Sequence, residues 1–457
     1  MGLAPFWIKN AIIVSQNDQR DIFCGHIRVD ENGIISEIKR DSPQASRSPA
    51  EQTVDATGLV IVPGFVQTHI HLCQTLFRNL ADDLELLDWL SKKIWRFEAS
   101  HTEETLAVSA EIGILELLST GTTCLLDMGT VNHTESILKA VKKMGIRASV
   151  GKCLMDDPQT TPDYLRDKTQ VALKEAEAIF LKWNGKENDR IRVSFAPRFV
   201  ISCTDVLLRE VSKLAQKHGA LIHTHASENK KEIEWVKERT GKDNIQCIHD
   251  LGLTQNQLVL AHCVWVNESE MELLRKTNTA VAHCPSANLK LASGIAQIPE
   301  MLQKGICVSL GADGAACNNQ LSALQEMKLA ALIQKPRLGS TAMPAQEVLD
   351  LATRNGAKAL HWWDQIGSIE VGKKADFFGA RLNLFENFVS YSKNKFNREA
   401  IVSSLVYSTP AHAIQWTYVD GQRVFDRAHF QFDSHWEKKV QKAQDEILTR
   451  SKKFHEN

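Results

Sequence analysis

None of the ten cysteines in this 457-residue sequence falls in a C-x-x-C pair, and they are too scattered for the dense disulfide framework of a small secreted domain. Reduced thiols in a reducing compartment are therefore expected. Neither charge predominates: 54 Lys+Arg face 55 Asp+Glu, so no global field recruits a nucleic acid or an anionic membrane. The segment 1–23 lacks the basic region and small-residue cleavage site of a leader, and no apolar run in it approaches about eighteen residues. Internal repeats and low-complexity tracts are absent as well. These exclusions leave a cytoplasmic protein with a small-molecule partner and no nucleic-acid or membrane partner.

What the chain does have is a 43% hydrophobic content and enough length for one large domain plus a small one. From about residue 60, short β-branched runs alternate with helical patterns, the rhythm of βα units and a parallel sheet. The runs are Leu59–Thr68, Thr122–Met128, Arg147–Cys153, Arg192–Ala196, Ala220–His225, Leu258–His262, Thr279–His283 and Cys307–Asp313. Between them, stretches such as EETLAVSAEIGILELLSTG and VLLREVSKLAQKHG repeat apolar residues at three and four and stop at Gly121 and Gly219. The pattern predicts an α/β fold, a (β/α)₈ TIM barrel over 59–365.

The flanks follow a period of two instead. Residues 1–58 alternate around a turn at Asp30–Gly33, and 366–428 do so in IGSIEVGKKADFFGARL and TYVDGQRVFD. The two ends are expected to pair into one small β-sandwich beside the barrel. Residues 429–457 read as a packing helix with Trp436, Val440, Ala443 and Ile447 on one face.

His69 and His71 close the first predicted strand, and the period of two puts both rings on one face, toward the barrel axis. An H-x-H alone is a weak signal. Its place at the C-terminal end of a barrel strand, where such enzymes keep their active sites, strengthens it. Later strands also end in metal-competent or acid/base residues: HTHASE at the fifth, AHC at the sixth and GADGAACNN at the eighth. His225, His262 and Asp313 would thus emerge at the same rim as His69 and His71. Three imidazoles with one carboxylate leave a position for water, as an open catalytic site requires.

Taken together, P-G-F-x-x-x-H-x-H at 63–71, H-x-x-E at 225–228, A-H-C at 261–263, H-C-P-S-A-N at 283–288 and D-G-A-A-C-N-N at 313–319 resemble the amidohydrolase superfamily. The likeness is to its aminohydrolase branch of guanine deaminases, S-adenosylhomocysteine and 5′-deoxyadenosine deaminases and triazine hydrolases, and it spans nearly the whole chain. The resemblance implies that His69, His71, His225 and Asp313 bind one divalent metal ion, Zn²⁺ being favoured and Fe²⁺ left open by an N₃O donor set. It makes Glu228, His262 and Asp313 the proton-handling residues. A bound divalent ion brings the pKa of its water toward neutrality; Asp313 can take that proton while His262 orients the nucleophile and Glu228 protonates the ring nitrogen beside the attacked carbon. By itself Glu228 would read as one solvated carboxylate among Glu228, Glu232 and Glu234. His223 shares the strand with His225 and is expected to be a packed core residue, while His283 is expected to support the rim by hydrogen bonding. Binuclear relatives bridge two metals with a lysine or glutamate from the fourth strand, which RVSFAP does not supply; Lys152 on the third strand is the nearest candidate.

The expected substrate is a heterocycle. Gln74 and Arg198 are similar to the pair with which guanine deaminases hold the base, and a guanidinium suits acceptors on a purine edge. Asp88–Trp89 in ELLDWL is similar to the carboxylate and indole with which nucleoside deaminases support the sugar and cover the site. The sequence favours 5′-deoxyadenosine, S-adenosylhomocysteine or a related adenosine, Arg198 being a departure from the histidine common in nucleoside deaminases. The alternatives are a guanine-type base deaminase, a triazine hydrolase, and a non-enzymatic scaffold that has kept the barrel. Self-association into a homo-oligomer is also expected.

Overall fold

The computed structural model describes residues 3–40, 52–392 and 395–454; those parts of the expected terminal segments at 1–2, 41–51, 393–394 and 455–457 lie outside the described residues. Eight parallel strands form the barrel: β1 (Phe65–His71), β2 (Thr122–Thr130), β3 (Arg147–Leu154), β4 (Ile191–Pro197), β5 (Ile222–Ala226), β6 (Leu258–His262), β7 (Ala280–His283) and β8 (Val308–Leu310), the last extended by the short piece Asp313–Gly314. The ring closes where Leu310 pairs with Gln67 and Asp313 pairs with Ile70. Register brings the functional ends level: His225 lies opposite Ala261, Ala226 opposite His262 and Gly314 opposite His71. Every residue of β1, β2, β3 and β6 is buried, as expected of parallel strands covered on both faces.

The run read as one strand over Leu59–Thr68 divides at Gly64. Val60–Pro63 belongs to the sheet built by the chain ends, and only Phe65–His71 enters the barrel. Gly64 is required there: its amide is held by the Asp376 carbonyl, and a Cβ on it would meet the Thr123 hydroxyl at 1.8 Å. Both halves of the run are fully buried and each opens on apolar residues, Val60–Val62 and Phe65–Val66, so the pattern carries no mark of the change of partner.

The end sheet places Gln422–Asp426, Ile414–Val419, Phe377–Ala380, Val60–Pro63, Phe6–Val14, Ile22–Val29 and Ile35–Arg40 in lateral order. It turns back on itself, since Phe6 and Tyr418, well separated in that order, stack at 5.4 Å, and the turn at Gly33 abuts Asp420. Phe6, Ile8, Ile13, Ile27, Ile35, Phe377 and Trp416 fill the fold with a core of their own. Alternate residues, among them Ile12, Val14, Val62 and Phe378, join the barrel core. A buried bidentate ion pair fastens the two: Arg147, at the start of β3, gives Nε to Asp376 Oδ2 at 2.8 Å and Nη2 to Oδ1 at 3.0 Å. That joint lies at the end of the barrel opposite the histidines. The helix Ser434–Ser451 buries Ala443 and Ile447, with Val440 half-buried, and its Gln444 holds the Leu76 carbonyl at 3.0 Å. Among the described residues no helix is long and apolar enough to cross a membrane.

Candidate metal centre and active site

The chain turns sharply at the C-terminal ends of the strands, and the turns collect the polar residues. His262 and Asp313 both sit in the left-handed region, with φ of 74° and 63°, a conformation that costs a non-glycine residue about 1–2 kcal/mol. Strain of that kind persists only where the surroundings over-determine it.

His69, His71 and Asp313 place their candidate ligand atoms within 4.8 Å of one another, and so do His69, His225 and His262. Asp313 Oδ1 is 3.3 Å from His69 Nε2 and 3.4 Å from His71 Nε2, while the Nε2 atoms of His71 and His225 approach to 3.2 Å. Two of the outer nitrogens are spoken for, while His71 Nδ1 is buried without a partner: His69 Nδ1 faces His223 Nε2 at 2.9 Å, and His225 Nδ1 donates to the Arg198 carbonyl at 2.6 Å. The inward nitrogens of His69 and His262 are buried without a hydrogen-bond partner. Burial holds His69 below, and His71 and His225 well below, the ordinary imidazole range, so these rings are neutral and present lone pairs. Burial alone would raise the Asp313 carboxyl, but His69, His71 and His262 keep it well below the usual carboxylate range. Neutral imidazole lone pairs and an ionised carboxylate converging on one point are the donor set a divalent cation needs.

Beside this cluster lie the proton-handling candidates. His262 Nε2 is 3.5 Å from Glu228 Oε2 and 3.9 Å from Asp313 Oδ2. Glu228 is buried, and desolvation pushes its carboxyl up to about 7, against the pull of His262. His262 would be lowered by burial, yet Glu228 and Asp313 outweigh that and raise it. Glu228 and Glu232 are thus not solvated: Glu232 is buried and accepts from the backbone amides of Ser227, Glu228 and Asn229, capping the turn that aims Glu228. His223 is the packed residue expected, with the added part of holding His69. His283 differs from expectation, both ring nitrogens being buried without a protein partner. Lys152 turns to the Val131 carbonyl and pairs with Asp167 at 3.4 Å, apart from the cluster.

His71, Gln74, Leu86, Trp89, Leu90, Arg198, Phe199, His225, Glu228, His262, Leu291 and Asp313 enclose one narrow cavity. Its free space, ≈ 20 Å³, admits about one water-sized sphere. Gln74 and Arg198 do meet, through a residue without any sequence signal: buried Glu98 takes Arg198 Nη1 at 2.6 Å and Nη2 at 3.2 Å, and Gln74 Nε2 at 3.0 Å. Gln74 Oε1 is left buried and unpartnered against Gly314, where a Cβ would stand 2.0 Å away. Asp88 is not in the lining. Its carboxylate is about half exposed and pairs with Lys92 at 3.0 Å, while the adjacent Trp89 faces the cavity. A wider depression of about 490 Å³ lies elsewhere, near Asp157 and Arg239; its Arg239 and Lys242 are engaged with Asp157, Asp205 and Asp250, and it holds none of the histidines.

A TIM barrel whose rim gathers four histidines, an aspartate and a buried glutamate defines a hydrolase of the metal-dependent kind. The chain belongs to the amidohydrolase family, whose model matches residues 60–424. It is similar, at 35% identity over 426 residues, to a 5′-deoxyadenosine deaminase of Methanosarcina acetivorans, covering 93% of each chain. It is 37% identical over 418 residues to a 5-methylthioadenosine/S-adenosylhomocysteine deaminase of Thermococcus kodakarensis, covering 91% of this chain and 92% of that one. Among solved structures it superposes on an adenosine deaminase from Xanthomonas campestris with bound zinc, with a TM-score of 0.88, 27% identity and coverage of 97% and 98%.

Proposed function

We propose that this chain hydrolytically deaminates a purine nucleoside of the 5′-deoxyadenosine or S-adenosylhomocysteine kind. One divalent ion, favoured to be zinc, would be held by His69, His71, His225 and Asp313. The observation that carries the reading is the approach of Glu228 and His262, 3.5 Å apart, to the edge of that donor cluster. The names of the relatives that span nearly the whole chain support the nucleoside class. Cytoplasmic residence and self-association belong to the same reading; all ten cysteines are free.

A divalent cation bound there supplies the Lewis acidity that makes a water nucleophilic near neutral pH. Asp313, ionised and facing the cavity, accepts a proton; His262, raised by its two carboxylate neighbours, orients the attacking water and carries charge between them. Glu228, with a carboxyl near 7, is about half protonated at neutral pH and in that form donates to the ring nitrogen adjacent to the attacked carbon; the amino group takes the proton held by Asp313 and leaves as ammonia, while the new hydroxyl returns a proton to Glu228. The Gln74 carbonyl oxygen, buried and unpartnered, accepts from a substrate N–H. Arg198 stays on Glu98 and fixes that wall. A purine does not fit the closed cavity, so the roof made by Leu86, Trp89 and Leu90 lifts to admit it. Asp88 rides on that roof, paired with Lys92 by an exposed contact worth well under about 1 kcal/mol, and is available to a ribose.

One observation favours a second reading, a guanine-type base deaminase: Gln74 and Arg198 meet on one carboxylate. Ammonia release from 5′-deoxyadenosine, S-adenosylhomocysteine, adenosine, guanine and a melamine-like triazine separates the two. Turnover of the nucleosides, with Asp88→Ala raising KM for them alone, is expected; turnover of guanine only would overturn both the nucleoside assignment and the ribose role of Asp88.

A further inference from the structure

The supports of the proton-handling residues converge on one carboxylate that the chemistry above does not use. Asn288 Oδ1 accepts from His262 Nδ1 at 2.8 Å. The Asn288 backbone carbonyl holds the Ser293 amide, also at 2.8 Å, and the Ser293 hydroxyl donates to Glu228 Oε1 at 3.2 Å. One short helix, Pro285–Lys290, therefore carries what orients both His262 and Glu228. Its N-cap, Cys284, supplies no side-chain cap.

The missing cap comes from Glu326, on the helix Ala323–Ile333 that follows β8. Glu326 Oε2 accepts the Ser286 amide at 3.1 Å, and Oε1 accepts the Ser286 hydroxyl at 2.5 Å and Asn318 Nδ2 at 2.8 Å. Asn318 Nδ2 also donates to the carbonyl of Ala312, the residue before Asp313, at 2.7 Å. Gln325 ties the same pair again, its Nε2 reaching Ser286 Oγ at 3.2 Å and Asn318 Oδ1 at 3.0 Å. Glu326 is fully buried, and burying a carboxylate this deeply costs more than an apolar side chain of similar size would. What the carboxylate alone provides is three acceptor contacts on two short helices, Pro285–Lys290 and Ala315–Asn318, that adjoin different parts of the site.

We infer that Glu326 is a positioning residue for deamination: by clamping Ser286 and Asn318 it sets Asn288, and through Asn288 the tautomer and aim of His262 and the donor to Glu228. The inference rests on the roles given to His262 and Glu228 above. A glutamine at this position turns an N–H₂ toward either Ser286 N–H or Asn318 N–H₂, both donors, so the clamp cannot be kept whole.

The test uses the metal-loaded protein and the best nucleoside of the substrate panel. E326Q is expected to keep about one equivalent of metal and a KM within about twofold, while kcat falls about 10-fold or more, as outer-shell changes do. Asn288→Ala should lower kcat in the same way, and the double variant should lose little beyond the worse single one, because both act through one chain of contacts. Losses that multiply, an unchanged kcat, or a loss that tracks metal content would overturn the inference. If E326Q does not fold, Ser286→Ala, which removes the hydroxyl's contacts with Glu326 and Gln325 and leaves the backbone amide contact, takes its place with the same expectations. A crystal structure of the metal-loaded variant is a readout independent of turnover: the His262–Asn288 contact, now 2.8 Å, should open beyond about 3.5 Å. Contact intact in the variant overturns the inference whatever the substrate. Wild-type protein inactive on the whole panel would instead count against the proposed function.

Discussion

The floor and the roof of the cavity are built on opposite principles. On the floor, His69, His71, His225, His262, Asp313 and Glu228 sit at or just beyond strand ends, with His69 held by His223, His262 by Asn288 and the turn carrying Glu228 by Glu232, all buried. The roof, which leads from Arg78 through Asp82 and Glu85 to Leu86–Trp89, is latched across the mouth by pairs at or near the surface: Lys290 with Asp82, Asn319 with Asn79 at 2.8 Å, and Lys231 with Glu85 at 2.8 Å. Buried contacts are strong and geometrically specific; surface ones are weak and screened by salt. The molecule keeps fixed geometry at the charged cluster and weak contacts on the segment proposed to open.

Variants of the floor should therefore cost far more than variants of the roof. His69→Ala is expected to have the largest effect, metal content dropping below about half an equivalent with turnover lost alongside; elemental analysis showing full occupancy would contradict the ligand role. Next is Glu228→Gln, which should retain metal and lose about 10²-fold in kcat. The same residue fixes the pH profile. Its carboxyl, at about 7, must be protonated to donate, so kcat/KM should decline as pH rises through that value, and the alkaline limb should vanish in Glu228→Gln. A limb that persists in the variant belongs to another group. Glu98→Gln tests the wall between floor and roof: with the buried Arg198 guanidinium deprived of its partner, stability in urea should fall by about 3 kcal/mol and KM rise, metal content being unchanged. Lys290→Ala should be the mildest. Loss of one latch is worth at most about 1 kcal/mol, so kcat/KM should move by less than about fivefold, and a change of 100-fold would show that the roof takes part in the chemistry.

Much of the floor is legible in the residue pattern. An H-x-H at a strand end needs only the period of two to place both rings on one face, and both His69 and His71 are buried at the rim. The barrel rhythm is equally plain, because βα alternation is a local pattern. Glu98, Glu232 and Glu326 are not legible, since each is a glutamate on a helix whose burial depends on donors that folding brings to it: Arg198 for the first, the 227–229 turn for the second, Ser286 and Asn318 for the third. The division of Leu59–Thr68 at Gly64 is hidden for the same reason. Apolar character says that a strand is covered, not which sheet covers it.

The sequence by itself determined the order of elements, the barrel, and the set of imidazoles and carboxylates at its rim, because strand periodicity and strand ends are properties of neighbours in the chain. Tertiary structure alone decided which lone pairs converge, that Asp313 stays ionised while Glu228 rises to about 7, and that Arg198 answers to Glu98. Those outcomes depend on desolvation and on charges that meet only after folding, so the physical reason is distance in space, which a linear sequence does not carry.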